Sequence, residues 1–109
     1  MATKTQINNL SQALKKAYSC AQKVSIEDGG TCNFDTPQLI LTGWRESEIK
    51  EAFDAAGLRC YIQKSGKSYV VDVIGCTNGQ GDLRTEMAEA ARESLKADGY
   101  EAYVYYQMD

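Results

Sequence analysis

Leu58-Arg59-Cys60-Tyr61-Ile62-Gln63, Lys64-Ser65-Gly66-Lys67 and Ser68-Tyr69-Val70-Val71-Asp72-Val73-Ile74 follow one another without a break. In the first run Leu58, Cys60 and Ile62 alternate with Arg59, Tyr61 and Gln63, the period of two that sends successive side chains to opposite faces of a strand. The last run is rich in β-branched residues, and the glycine-containing tetrapeptide between them supplies a hairpin turn. An antiparallel pair over 58–63 and 68–74 is therefore predicted, and what flanks it decides the fold.

Helical spacing lies on both sides of this hairpin. Upstream, Thr42-Gly43-Trp44-Arg45-Glu46 opens a helix with acids in its first turns, Ile49, Ala52, Phe53 and Ala56 on one face, and Gly57 as a left-handed C-cap. Ahead of it, Gln38 to Thr42 reads as a strand, with Pro37 at its start, where a missing N–H is tolerated. Downstream, Leu83, Met87, Ala90 or Ala91, and Leu95 form another stripe, closed by Asp98-Gly99, and Tyr100 to Met108 alternates as a last strand. The order β-α-β-β-α-β predicts an α+β domain of the ferredoxin-like, split-βαβ kind, with four antiparallel strands carrying both helices on one face.

Residues 1–25 stand ahead of that unit. Ile7, Leu10, Leu14, Ala17 or Tyr18, Ala21 and Val24 recur at spacings of three and four, which makes an N-terminal amphipathic helix. Packing on its own domain or on a second subunit is the simpler expectation; a membrane-surface helix is the alternative, though bulky apolar anchors are few. The expected organisation is one compact domain overall, a helix over 1–25 and the ferredoxin-like unit over 26–109.

The strand alternation divides the sheet's residues between two faces. Leu39, Leu41, Cys60, Ile62, Tyr69, Val71, Val73, Ala102 and Val104 are expected to face the helices, and Ile40, Tyr61, Val70, Asp72, Ile74, Tyr103 and Tyr105 the other side. So aromatic a face needs cover, from the N-terminal helix, from a second subunit, or from both. A homodimer or higher oligomer follows as an expectation.

Charge and composition exclude several functions. The net charge is −3, yet residues 1–25 hold four lysines and no acid, so the remainder carries −7. That repels polyphosphate backbones, and the basic-aromatic run of an RNA-recognition domain is missing, so nucleic-acid binding is not expected. Cys20, Cys32, Cys60 and Cys76 are 12, 28 and 16 positions apart with no histidine in the chain, so no metal site is expected. The thiols read as reduced, three of the four as small buried hydrophobes, in a cytoplasmic protein with neither signal peptide nor membrane span. Without histidine the common bases and nucleophile pairs are missing, so no enzyme and no catalytic residue or cofactor is expected.

Two loops are candidates for ligand binding. Asn78-Gly79-Gln80-Gly81 ends at a helix start: its glycines permit positive φ, Asp82 is a good N-cap, and Arg84 adds a guanidinium to backbone N–H groups suited to an anion. A structural turn is the plain alternative. Asn33, Phe34, Asp35 and Thr36 lead into the first strand. They make an Asx-type turn, or else an amide and a carboxylate for base edges and ribose hydroxyls, with Phe34 stacking on a base. In the ferredoxin-like order the two loops fall at the same end of antiparallel central strands. Trp44-Arg45, a packing anchor with a surface cation, lies at the other end, and the tyrosines and Gln107 after Glu101 read as an aromatic ladder.

Gly30-Thr31-Cys32-Asn33-Phe34-Asp35 with Gly79-Gln80-Gly81, Arg84 and Val104-Tyr105-Tyr106-Gln107-Met108-Asp109 resembles small accessory proteins encoded by bacteriophages and prophages, over most of 25–109. The resemblance implies a host-cytoplasmic counter-defence factor. Such a factor either sequesters a small nucleotide-like or ADP-ribose-like signalling molecule, or acts as an acidic anti-CRISPR-type inhibitor of a nucleic-acid-binding effector or other host defence protein.

Overall fold

The computed structural model describes residues 2–24, 35–75 and 81–105, the stretch 81–84 as backbone only. Its elements are α1 (Lys4–Gln22), β1 (Thr36–Thr42), α2 (Glu46–Ala56), β2 (Arg59–Ser65), β3 (Ser68–Ile74), α3 (Gly81–Ala97) and β4 (Glu101–Tyr105). The fold is α+β, three helices with a four-stranded antiparallel sheet in the order β2-β3-β1-β4.

The hairpin forms where alternation predicts it, its first arm running over Arg59–Ser65 rather than 58–63. Ser65 pairs with Ser68, leaving Gly66-Lys67 as a two-residue loop. Gly66 has φ 62°, which suits the Gly-X loop of a tight hairpin. β1 begins at Thr36 rather than Gln38, so Pro37 lies inside a central strand. It is accommodated because the ladder to β3 starts only at Gln38, while Pro37 itself pairs with Val104 of β4.

Each helix keeps its sequence-encoded apolar side. Ile49, Ala52 and Phe53 of α2 are buried, and Gly57 closes the helix with φ 76°. On α3 the buried residues include Met87, Ala88, Ala91 and Leu95; the helix starts at Gly81, so the expected cap Asp82 falls inside the first turn. α1 is started by Thr3, whose Oγ1 accepts from the Gln6 amide at 3.1 Å while the Thr3 amide donates to Gln6 Oε1 at 2.8 Å.

α2 lies over β2, and α3 over β1 and β4. α1 packs along both α2 and α3, bridging two helices that make no close backbone contact with each other among the described residues. Its stripe is accordingly wider than one seam needs: Ser11 and Ala13 are buried beside Leu10, Leu14, Ala17 and Ala21, while Tyr18 is 43% exposed. α1 is on the helical side, its stripe taken up by α2 and α3, so of the two expected covers for the sheet's aromatic face it is not the one.

A second contact ties the start of the chain to α2. Glu48 Oε1 accepts from the amides of Ala2, at 3.0 Å, and Arg45, at 2.8 Å. These bonds, Ala2's first, hold the Glu48 carboxyl below its ordinary 4.5. A lowered folded-state pKa contributes stability that is complete above the unfolded value and is lost as pH falls through the folded one. Thermal midpoints between about pH 3 and 6 are expected to fall less steeply for Glu48→Gln than for wild type, the two converging at the acid end.

Candidate functional site

At one end of the sheet the described flanks of the two sequence-predicted loops, Asp35-Thr36 and the start of α3, come together. Gln38 pairs with Asp72, so β1 starts beside the end of β3, and Thr36 pairs with Tyr105, so β4 ends there too. The described chain leaves the sheet at this end before Asp35, after Gly75 and after Tyr105.

Asp35 ties this end to α3. The residue is only 2% exposed, and Thr85 Oγ1 donates to its Oδ2 at 2.6 Å. Thr85 follows Gly81 by one helical turn, so a short, partly buried side-chain bond joins the lead-in to β1 with the helix that follows the glycine loop. Thr36 is half-buried. Gly81 and Arg84 are in the first turn of α3, the Arg84 side chain lying outside the description. Asn33, Phe34, Asn78, Gly79 and Gln80 lie outside the described residues.

The face away from the helices is organised in rows across all four strands. Tyr61, Asp72, Gln38 and Tyr103 form the middle row; Gln63, Val70, Ile40 and Glu101 lie on one side of it, Arg59 and Ile74 with Thr36 and Tyr105 on the other. Tyr61, Tyr103 and Tyr105 are 55%, 51% and 49% exposed, whereas their counterparts on the helical face, Leu39, Val71 and Val73, are fully buried. Gln38 Nε2 donates to Asp72 Oδ1 at 2.7 Å, and the Tyr103 hydroxyl donates to Glu101 Oε1 at 3.0 Å. That bond, reinforced by the carboxylate's charge, raises the Tyr103 phenol above its usual value, so it remains a donor.

A cleft that no sequence motif announced lies at the other end of α3. It encloses about 360 Å³ between Asn9, Gln12, Ala13 and Lys16 of α1 and Asp98 and Tyr100 beyond α3. Lys16 Nζ and Asp98 Oδ1 are 3.3 Å apart across it, an exposed pair of small energetic weight. Burial, then the Asp98 charge, raises the Tyr100 phenol. Asp98-Gly99 reads in sequence as a helix stop, and only the packing of α1 turns it into a wall. The length of α3, 17 residues or roughly 25 Å, separates this cleft from Asp35.

Trp44 packs against the core at the start of α2, as the packing anchor expected from sequence, and Arg45 is that helix's N-cap. Both are at the far end of β1 from Asp35. Cys20 and Cys60 are free and half-buried, less enclosed than expected, because Cys20 stands at the margin of α1's apolar stripe and Cys60 lies on the edge strand β2. Desolvation is the main reason that the Cys60 thiol is raised, so it is not an activated nucleophile. Cys32 and Cys76 lie outside the described residues. Among the described residues no group of three or more His, Cys, Asp or Glu could hold a metal ion, and no helix is long and apolar enough to cross a membrane.

Compared with protein-family models, curated proteins and solved structures, the chain matches none.

Proposed function

We propose that this protein is a non-enzymatic binder that sequesters a small nucleotide-like or ADP-ribose-like anion, a counter-defence role of the phage type, on a ferredoxin-like scaffold. What supports the reading is the Asp35–Thr85 bond, which joins the lead-in to β1 and the helix after the glycine loop at one end of the sheet. In this role Asp35 supports the site from within, and contact with the ligand falls to Asn33, Phe34, Thr36, Asn78, Gly79, Gln80, Gly81 and Arg84. Arg84 and the N–H groups of the α3 start take the anion.

Thermal unfolding in the presence of mononucleotides, cyclic nucleotides and ADP-ribose tests this. A ligand at 100 times its Kd is expected to add about 2.7 kcal/mol, a midpoint rise of roughly 10 °C for a chain of this size. Arg84→Glu is expected to remove the rise. An unchanged midpoint across the whole set would sink the proposal and leave the second reading, an acidic inhibitor acting through a protein interface, for which the −7 carried by 26–109 speaks.

A further inference from the structure

The open sheet face carries a pattern that matches itself. A two-fold axis lying in the interface and running along the strands, between β3 and β1, keeps each row at its own height and exchanges its two ends. β2 of one copy then lies over β4 of the other, and β3 over β1.

In the middle row Tyr61 meets the partner's Tyr103, and Asp72 meets the partner's Gln38, its own hydrogen-bonding partner type within the chain. In the flanking rows Gln63 meets the partner's Glu101, Val70 the partner's Ile40, and Arg59 the partner's Tyr105, a cation over an aromatic ring. Among the described residues of the face no like charges are opposed. A two-fold axis running across the strands instead stacks Asp72 on the partner's Asp72 and Tyr105 on the partner's Glu101, which wastes the pattern.

We propose that two copies of this chain pair through these faces, with the axis along the strands, in the aligned manner of stacked sheets. The interface goes beyond ligand binding and does not depend on it. Four strands about 4.8 Å apart and about 3.3 Å per residue present roughly 440 Å² in projection on each copy. With side-chain relief, the pair buries about 1,000–1,200 Å², the lower end for a specific interface. An interface of that size is in the range of weak, reversible pairs, and a dissociation constant on the order of micromolar is expected.

Sedimentation velocity over ~1–300 µM reads this equilibrium directly. Wild type is expected to pass from monomer to dimer, and Tyr61→Glu and Tyr103→Glu, both at half-exposed positions, to weaken pairing at least ~30-fold with unchanged circular dichroism. Tyr18→Glu, on α1, is expected to leave it unchanged. Gln63→Lys fixes the axis: opposite the partner's Glu101 it tightens the dimer a few fold, roughly the worth of an added ion pair. A monomer at every concentration, or a dimer indifferent to Tyr61→Glu and Tyr103→Glu but lost in Tyr18→Glu, overturns the proposal. Weakening by Gln63→Lys overturns the arrangement, because the lysine would then be facing the partner's Arg59.

Discussion

Leu14→Ala is expected to lower the free energy of unfolding by about 3–4 kcal/mol, close to half the stability of a typical small domain. Leu14 is fully buried although it belongs to the helix outside the β-α-β-β-α-β unit. Truncating it opens a cavity where α1 meets the other two helices, which are held on the sheet and cannot close it. Urea unfolding followed by fluorescence is the right measurement, because Trp44 is the one tryptophan and packs on the core at the start of α2, away from the substitution. An integral α1 shifts the Trp44 transition by about 2 M urea, and far-UV circular dichroism shifts with it. If the helix were an appendage, the circular dichroism would lose helix early while the Trp44 transition stayed in place. Tyr18→Ala, on the exposed side of the same helix, is expected to change stability by less than about 0.5 kcal/mol.

That contrast marks where sequence stops being informative. The stripe Ile7, Leu10, Leu14, Ala21 says that α1 packs, and its period says with which side, but an amphipathic pattern has no address. Only the separation of α2 and α3, a property of three elements together, makes their seam the better place to bury it. The strands are different because register carries the information. Leu39, Val71 and Val73 are buried and Tyr61, Tyr103 and Tyr105 exposed as the alternation requires, since a slip of one residue would exchange the faces. Pro37 misleads by two residues because its cost depends on which neighbour needs its N–H, and a single chain does not display its neighbours.

The candidate site was legible in the same partial way. The meeting of the lead-in to β1 with the start of α3 follows from antiparallel central strands, a topological fact. The burial of Asp35 does not follow, since an aspartate between Phe34 and a Thr-Pro pair looks like an ordinary turn residue. Its partner Thr85 lies 50 positions away and belongs to no motif. The cleft at Lys16, Asp98 and Tyr100 was illegible for the same reason: its walls come from elements that meet only after folding.

Thr85→Val is the sharper probe of the sheet end, expected to cost about 1.5–3 kcal/mol. Valine keeps the shape of threonine and removes the hydroxyl, so a carboxylate 2% exposed loses a donor at 2.6 Å without gaining water in exchange. Asp35→Ala is expected to cost at least as much, since it removes the acceptor and its packing together. The double variant should cost less than the two single ones combined, by the energy of the shared bond, about 1.5–3 kcal/mol. Thr85→Ser, which retains the hydroxyl, should recover most of the loss. Chemical denaturation of the four variants gives the coupling, and amide exchange gives its location, with protection falling first at the start of β1 and the first turns of α3. A coupling near zero would mean that the ladders of β1 alone hold the two stretches at one end, and the proposed ligand site would then lose the contact that supports it. A large coupling with a weakened ligand response in Thr85→Val, at a residue assigned no ligand contact, would identify the bond as the element that fixes the two sides of the site relative to each other.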